Sequence, residues 1–496
     1  MDRMGLPLQN QENSNTSYHL QHVFEQQRIA FDAAPYPDAS SRKNKLKQLK
    51  QQIIRYQDVI AEAINVDFGS RSISESKITD IMGSVLETSH AIHSVSKWMR
   101  PSKRHTELLF VTNSLQVQYQ PKGIVGVIVP WNFPVYLALG PLAAALAAGN
   151  RVMVKLSEFT PKTNAVVRKM LAEIFNENEV AVFGEEITNP SQFSSLPFNH
   201  IIFTGSPAVG HIVMRSAAEN LTPVTLELGG KSPALVTRNY PIAEAAQRIV
   251  HGKTTNAGQI CVSPDYALVP KENVDEFVSA CKANFQSMFG NDISQNDDYT
   301  SIINERHFKR LKEILADAKA KGAQIISCGE YDAEKENSGR KIPTQLVLNC
   351  TPDMRILQEE LFGPVLPIVT YEKLDEAIQY IKKDERPLAL YCFTYDSKEL
   401  DFILKTTHSG GVTVNDWGWH VVNHDAPFGG IGNSGMGSYH GIEGFRELSH
   451  AKTILKRHRF FPTQIFYPPY GTWIQKMAIA FFLKKADPSL KLKDIE

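Results

Sequence analysis

The stretch Ile124-Val125-Gly126-Val127-Ile128-Val129 constrains the fold of this chain more than any other. It contains no polar side chain, which suits a strand buried on both faces, as in a parallel sheet. The run stops at Pro130-Trp131-Asn132-Phe133-Pro134, where two prolines fix the turn. A stretch rich in Leu and Ala then reads as a helix to Gly149, and Arg151-Val152-Met153-Val154-Lys155 reads as the next strand. Strand, helix and strand in this order predict an α/β fold with a doubly wound sheet of the dinucleotide-binding type.

Ligands of such sheets lie beyond the carboxyl ends of the strands, where Asn132 and Lys155 fall. The Asn132 amide can donate to an oxyanion or merely cap a turn. Lys155 with Glu158 can hold a pair of ribose hydroxyls or form a plain surface ion pair. Further on, Ile201-Ile202-Phe203-Thr204-Gly205-Ser206-Pro207-Ala208-Val209-Gly210 reads as a strand, a Gly-x-x-x-x-Gly turn and a helix start. Backbone around Gly205, Ser206 and Gly210 can approach a pyrophosphate at the helix N-terminus, although the Gly-x-Gly-x-x-Gly fingerprint is absent.

Two residues in small, glycine-containing turns carry the clearest chemical potential. Glu227 lies in Thr225-Leu226-Glu227-Leu228-Gly229-Gly230 and Cys261 in Asn256-Ala257-Gly258-Gln259-Ile260-Cys261, 34 positions apart (261 − 227). A cysteine held partly exposed beside backbone N–H groups has a lowered thiol pKa and is an available nucleophile. A glutamate reaching the same cavity can deprotonate water or the thiol. Taken singly, each also suits a structural role, as a buried small residue and a solvated strand end.

The bulk properties narrow the function classes. Lys+Arg and Asp+Glu each total 53, so no basic field favours nucleic acid. Five cysteines without C-x-x-C spacing argue against a disulfide framework or zinc site and for a reducing, cytoplasmic setting. The polar first residues, expected to be disordered through about residue 18, do not resemble a signal peptide. No run reaches the roughly 20 apolar residues of a membrane span. The apolar Met477–Leu483 run between lysines is read as packing on the body or a partner, with membrane contact the less favoured reading. His420 and His424 stand i, i+4, but in a loop without nearby ligands, and no metal is expected.

Together these segments resemble the aldehyde dehydrogenase superfamily over about residues 20–470. Gly205-Ser206-Pro207, Cys261-Val262-Ser263-Pro264-Asp265-Tyr266, Asn433-Ser434-Gly435-Met436-Gly437-Ser438-Tyr439-His440-Gly441 and Tyr467-Pro468-Pro469-Tyr470 look like its class 3 branch. Lys155-Leu156-Ser157-Glu158 and Glu219-Asn220-Leu221-Thr222-Pro223-Val224-Thr225 look most like the bacterial coniferyl aldehyde dehydrogenases. Many members carry proline where this chain has Leu156, so altered loop rigidity is expected there.

The resemblance implies oxidation of an aldehyde, aromatic or long-chain, to a carboxylic acid with NAD or NADP. By it, Cys261 is the nucleophile, Asn132 and the Cys261 N–H hold the oxyanion, and Glu227 activates the hydrolytic water. Trp131, Lys155, Ser157, Glu158, Gly205, Ser206, Gly210, Leu228, Glu360 and Phe362 would bind the cofactor. Trp417 and Trp419 would approach the substrate funnel and favour flat or long apolar aldehydes. The implied architecture is a cofactor domain (19–110 and 123–224), a catalytic domain (225–450) and an oligomerisation element (111–122 and 451–496) that joins a homodimer. A coenzyme A-acylating enzyme is the alternative, disfavoured because such members usually lack the general-base glutamate. A non-catalytic protein on the same fold is disfavoured because Cys261, Asn132 and Glu227 are all present.

Overall fold

Gln27 shows how the N-terminal segment is tied down: buried, it donates to Val152 O at 3.0 Å and Glu177 O at 2.8 Å. Its helix runs Leu8–Ala33 and places Leu20, Val23 and Phe24 in a core shared with Phe183, Phe193 and Phe198. Residues 8–18 are thus helical, where the sequence reading expects disorder. Once its inner half is packed, each further residue adds one hydrogen bond at little nucleation cost.

The computed structural model describes residues 8–187, 189–332, 339–461, 463–484, 486, 487 and 492. Residues 1–7 of the segment expected to be disordered, and residues 462, 485, 488–491 and 493–496 of the expected oligomerisation element, lie outside them.

The strands fall in chain order. They begin with β1 (Ser102–Arg104) and β2 (Ser114–Pro121). β3 (Ile124–Ile128), β4 (Arg151–Lys155), β5 (Val180–Phe183), β6 (His200–Gly205) and β7 (Val224–Leu228) follow. Then come β8 (Pro233–Val236), β9 (Tyr266–Pro270), β10 (Gln324–Ser327), β11 (Gln345–Leu348) and β12 (Val365–Tyr371). β13 (Ala389–Phe393), β14 (Gly411–Val414), β15 (Gly435–Met436) and β16 (Ser449–Lys456) complete the set.

Six strands form one sheet in the order β15-β7-β6-β3-β4-β5. β3 to β7 pair in parallel and only the two-residue β15 runs antiparallel. The apolar run that dominates the sequence becomes β3, at the point where the strand order reverses, and its connection to β4 is the fully buried helix Tyr136–Ala148. Gly149, at φ +91°, ends that helix by donating to Leu146 O at 3.0 Å. Parallel register brings Ile128 opposite Lys155 and Phe203, and Gly205 opposite Leu228. The carboxyl ends of four strands thus share one edge, the usual place for a ligand on such a sheet.

A seven-stranded sheet has the order β10-β11-β12-β9-β8-β13-β14, parallel except between β10 and β11. Both sheets belong to one compact unit, Met1–Met99 with Gln120–His450. A second unit comprises Arg100–Tyr119 and Ala451–Glu496, so it begins at Arg100 rather than at residue 111. The earlier start has a local cause: β1 pairs antiparallel with β2, Ser102 opposite Val117. β16 completes this three-stranded sheet. The helix Trp473–Leu483 in this unit starts with a reciprocal cap between Thr472 and Gln475 and leaves Met477, Ile479 and Phe481 exposed. Among the described residues no helix is long and apolar enough to cross a membrane.

Candidate active site

The loop that carries Cys261 bends through three residues in the left-handed region, Asn256 (φ +49°), Ala257 (φ +49°) and Gly258 (φ +71°). A Cβ on Gly258 would lie 2.5 Å from Gly363 O, so glycine is required on two counts. Asn256 holds the bend: its Nδ2 donates to Asn132 O and Gln259 O, each at 3.1 Å. Asn132 Nδ2 donates to the same Gln259 carbonyl at 3.2 Å. The Asn132 turn and the cysteine loop are thereby locked together, which leaves one Nδ2 hydrogen for an incoming oxygen.

Glu227 sits near the end of β7, fully buried, and neither carboxyl oxygen has a hydrogen-bond partner. Burial raises its pKa well above the ordinary carboxylate value. Cys261 is half-buried, and shielding of its thiol pushes the pKa up to about 12, with the charges of Glu360 and Glu227 adding to the rise. The lowered thiol pKa expected from the sequence is therefore not found. The backbone N–H groups of Cys261 and Val262 do act in the expected direction, but desolvation outweighs them.

The segment after Gln358 is built onto the cysteine motif. Asp265 Oδ1 accepts from Leu361 N at 2.9 Å, and its other oxygen pairs with Lys231 Nζ. Lys231 also donates to Ile356 O at 3.1 Å and Glu359 O at 3.0 Å. Arg310 clamps the same segment through Glu360 O at 3.2 Å and Leu361 O. Glu360 is turned against Gly229 and accepts from the Gly230 N–H; burial first, then Asp265, raises its pKa to about 8. A Cβ on Gly229 would lie 2.0 Å from Glu360 Oε2, which explains a glycine there. Phe362, at φ +48°, meets Trp131 edge to face with ring centroids 5.3 Å apart.

At the shared strand edge, Lys155 is buried and its Nζ pairs with the exposed Glu158 at 3.3 Å. Ser206 caps the helix Pro207–Ala218 by accepting from Val209 N at 3.5 Å, and Gly210 packs under Leu228. Ser157 is buried and its hydroxyl accepts from Phe159 N at 3.3 Å, so it shapes the turn itself. Leu156 N donates to Phe183 O at 2.8 Å, a bond that proline cannot make.

A model of the aldehyde dehydrogenase family matches residues 11–454. The chain belongs to the aldehyde dehydrogenase family. It is accordingly an oxidoreductase that converts aldehydes to carboxylic acids. A probable coniferyl aldehyde dehydrogenase of Pseudomonas aeruginosa is 48% identical over 474 residues, 96% of this chain and 98% of the relative. The coniferyl aldehyde dehydrogenase of Pseudomonas sp. strain HR199 is 46% identical, covering 84% and 86% respectively. Among solved structures, Staphylococcus aureus AldH in a substrate-bound state matches with TM-score 0.87 at 35% identity, over 93% of this chain and 99% of that one. A betaine aldehyde dehydrogenase of the same organism, solved with NAD+, matches with TM-score 0.81 at 25% identity, over 92% and 89%.

Within this aldehyde dehydrogenase, several supporting residues escape sequence reading. Arg71 is fully buried, pairs with Asp80 at 3.1 Å and donates to Asn132 O at 3.0 Å. Glu75 accepts from Asn256 N at 2.7 Å and Thr300 Oγ1 at 3.2 Å, holding the cysteine loop from behind. Their signal was present as charged residues in a short stretch of mixed pattern, but it is the same as that of a solvated helix face. The two tryptophans part company. Trp417 is buried and donates to His251 Nδ1 at 2.8 Å, whereas Trp419 is 52% exposed. His420 likewise separates from His424, its Nδ1 meeting Thr413 Oγ1 at 2.8 Å.

Proposed function

We propose that this enzyme is an NAD(P)-dependent, hydrolytic aldehyde dehydrogenase acting on aromatic aldehydes of the coniferyl type. The observation that carries the hydrolytic reading is Glu227, a buried carboxyl with two unpartnered oxygens close enough to Cys261 to influence its charge. Such a group costs stability, and groups of this kind are concentrated at functional sites. The Cys261 thiolate attacks the aldehyde carbonyl, and the free Nδ2 hydrogen of Asn132 with the Cys261 N–H stabilises the oxyanion. After oxidation to the thioester, Glu227 takes a proton from the water that releases the acid.

The residues fit a dinucleotide. A buried ammonium beside an exposed carboxylate, Lys155 and Glu158, suits a ribose diol. The helix Pro207–Ala218 starts at this edge, and the positive end of its dipole suits a pyrophosphate. Trp131, Leu228, Glu360 and Phe362 wall the end nearest Cys261, and Gly205 and Gly210 allow close helix–sheet packing. When bound, the cofactor supplies the hydride acceptor. Glu158 disfavours a 2′-phosphate, which supports NAD over NADP.

The acyl-enzyme step gives the test. Glu227→Gln should retain a first-turnover burst of NADH while steady-state turnover falls about 10²–10⁴-fold. Loss of both phases together would move Glu227 to the thiol-activation step, and recovery of turnover by coenzyme A alone would sink the hydrolytic reading.

Similarity to two coniferyl aldehyde dehydrogenases supports the substrate class. On a panel of coniferyl aldehyde, benzaldehyde, dodecanal and acetaldehyde, kcat/KM should be highest for the first. A preference for dodecanal would reassign the enzyme to aliphatic substrates. The five free cysteines support a reducing, cytoplasmic setting, and the strand-bearing second unit supports a homodimer.

A further inference from the structure

Glu87, His424 and His440 come from three separate parts of the chain and meet away from the reacting groups. Glu87 lies on the helix Gly83–Trp98, His424 in the loop after β14, and His440 at the N-cap of the helix Gly441–Glu447. One ligand atom from each lies within 4.8 Å of the other two. Glu87 Oε2 stands 2.6 Å from His424 Nδ1 and 4.0 Å from His440 Nε2.

The polar atoms of this cluster are unusually short of partners. Glu87 and His440 are buried, and the side chain of His424 is 9% exposed. Glu87 Oε2, both nitrogens of His424 and Nδ1 of His440 make no hydrogen bond. The 2.6 Å approach of Glu87 to His424 is therefore close without being aligned as a donor–acceptor pair. Buried acceptors left in that state cost free energy. A buried carboxylate and two imidazoles with their ligand atoms this close together, one pair already in contact, form a set that a shared cation would hold apart.

We propose that Glu87, His424 and His440 bind a zinc ion. Two imidazoles and one carboxylate are a donor set zinc accepts, with a fourth position left for water. Ligands about 2.1 Å from a tetrahedral ion lie about 3.4 Å apart, a spacing between the two separations observed here. Small side-chain rotations close the difference.

The Tyr136 hydroxyl is hydrogen-bonded to His440 Nε2 at 3.4 Å, a contact that zinc bound at Nε2 would replace. His90 Nε2 faces Asp425 Oδ1 at 3.5 Å, and Asp425 is largely exposed, marking a carboxylate-lined way in from solvent. Bound zinc pins the loop after β14 to the helix Gly83–Trp98. That loop leads to β15, whose Gly435 pairs with Glu227. The proposed role is thus structural: zinc would fix the loop that carries β15 to its place beside β7.

The test uses tag-free, full-length protein carrying Cys261→Ala, so that the catalytic thiol cannot capture the ion. After stripping with EDTA, the protein is titrated with Zn2+, and bound metal is counted by mass spectrometry after gel filtration. One equivalent per chain is expected, with a rise in Tm on loading. Replacement by Co2+ should give the intense visible absorption of a four-coordinate site. Glu87→Gln and His424→Ala should each weaken binding by more than the about 10–100-fold typical of outer-shell changes. Glu87→Gln keeps the size of the side chain, and weakened zinc binding in that variant with a metal-free Tm near that of the parent separates lost binding from misfolding. No stoichiometric uptake by the parent, or undiminished uptake by both variants, overturns the proposal.

Discussion

Glu227 and Cys261 are both held at rest in the protonated forms that do no chemistry. Burial raises both pKa values, Cys261 to about 12, while the reaction needs a thiolate and a carboxylate. Activity should therefore climb as pH rises from neutral into the alkaline range. Stability moves the other way. A carboxyl whose folded pKa lies above its unfolded value contributes stability that is complete below the unfolded pKa and is lost as pH rises through the folded one. Glu227→Gln removes that loss, so its Tm should gain on the wild type progressively as pH rises above the ordinary carboxylate range. A difference that stays constant with pH would show that Glu227 does not titrate as its burial demands. Leu156 is a third case at this scale: a departure from the common proline adds the bond to Phe183 O and extends the pairing of β4 with β5 by one position.

Among elements, the segment that decides the site is the one between Arg71 and Asp80, which carries no reacting group. Arg71 ties Asn132, Asp80 anchors Val135 N and Tyr136 N at 3.1 Å each, and Glu75 holds Asn256. The turn after β3 and the cysteine loop thus share one buried ionic brace. Removing the cation alone strands Asp80 as an uncompensated buried charge. Arg71→Met should cost about 3–5 kcal/mol in denaturant unfolding. It should also lower kcat, because the Asn132 donor loses its fixed position. A loss below about 1 kcal/mol would mean that the brace relaxes into water. The sequence made β3, its helix and β4 legible because continuous burial leaves a continuous apolar run. It hid this brace because charges that pair inside the protein look, in a string, like charges that face solvent.

At the scale of the molecule, two units are built from interleaved parts of the chain, and the smaller joins residues far apart in sequence. Its strands β1, β2 and β16 form a three-stranded sheet, and its terminal helix presents apolar residues to solvent. Exposed surface of that kind is usually an interface. Light scattering should report a dimer at micromolar concentration. A monomer there would remove the oligomeric role assigned to the second unit.

What the sequence determined by itself was the set of elements with a strong local signature and the family motifs. The β3–β4 unit, Cys261 in its glycine turn, Glu227 beside Gly229-Gly230, and the Gly205–Gly210 turn all depend on near neighbours in the chain. Tertiary structure decided what depends on distant partners. It reversed the direction of the Cys261 pKa, because desolvation is set by what packs around the thiol. It sent Trp417 inside and left Trp419 out, although only Gly418 separates them. It drew His424 away from His420 and into the company of Glu87 and His440. Local patterns report which backbone a segment adopts; burial and proximity are properties of the packed whole.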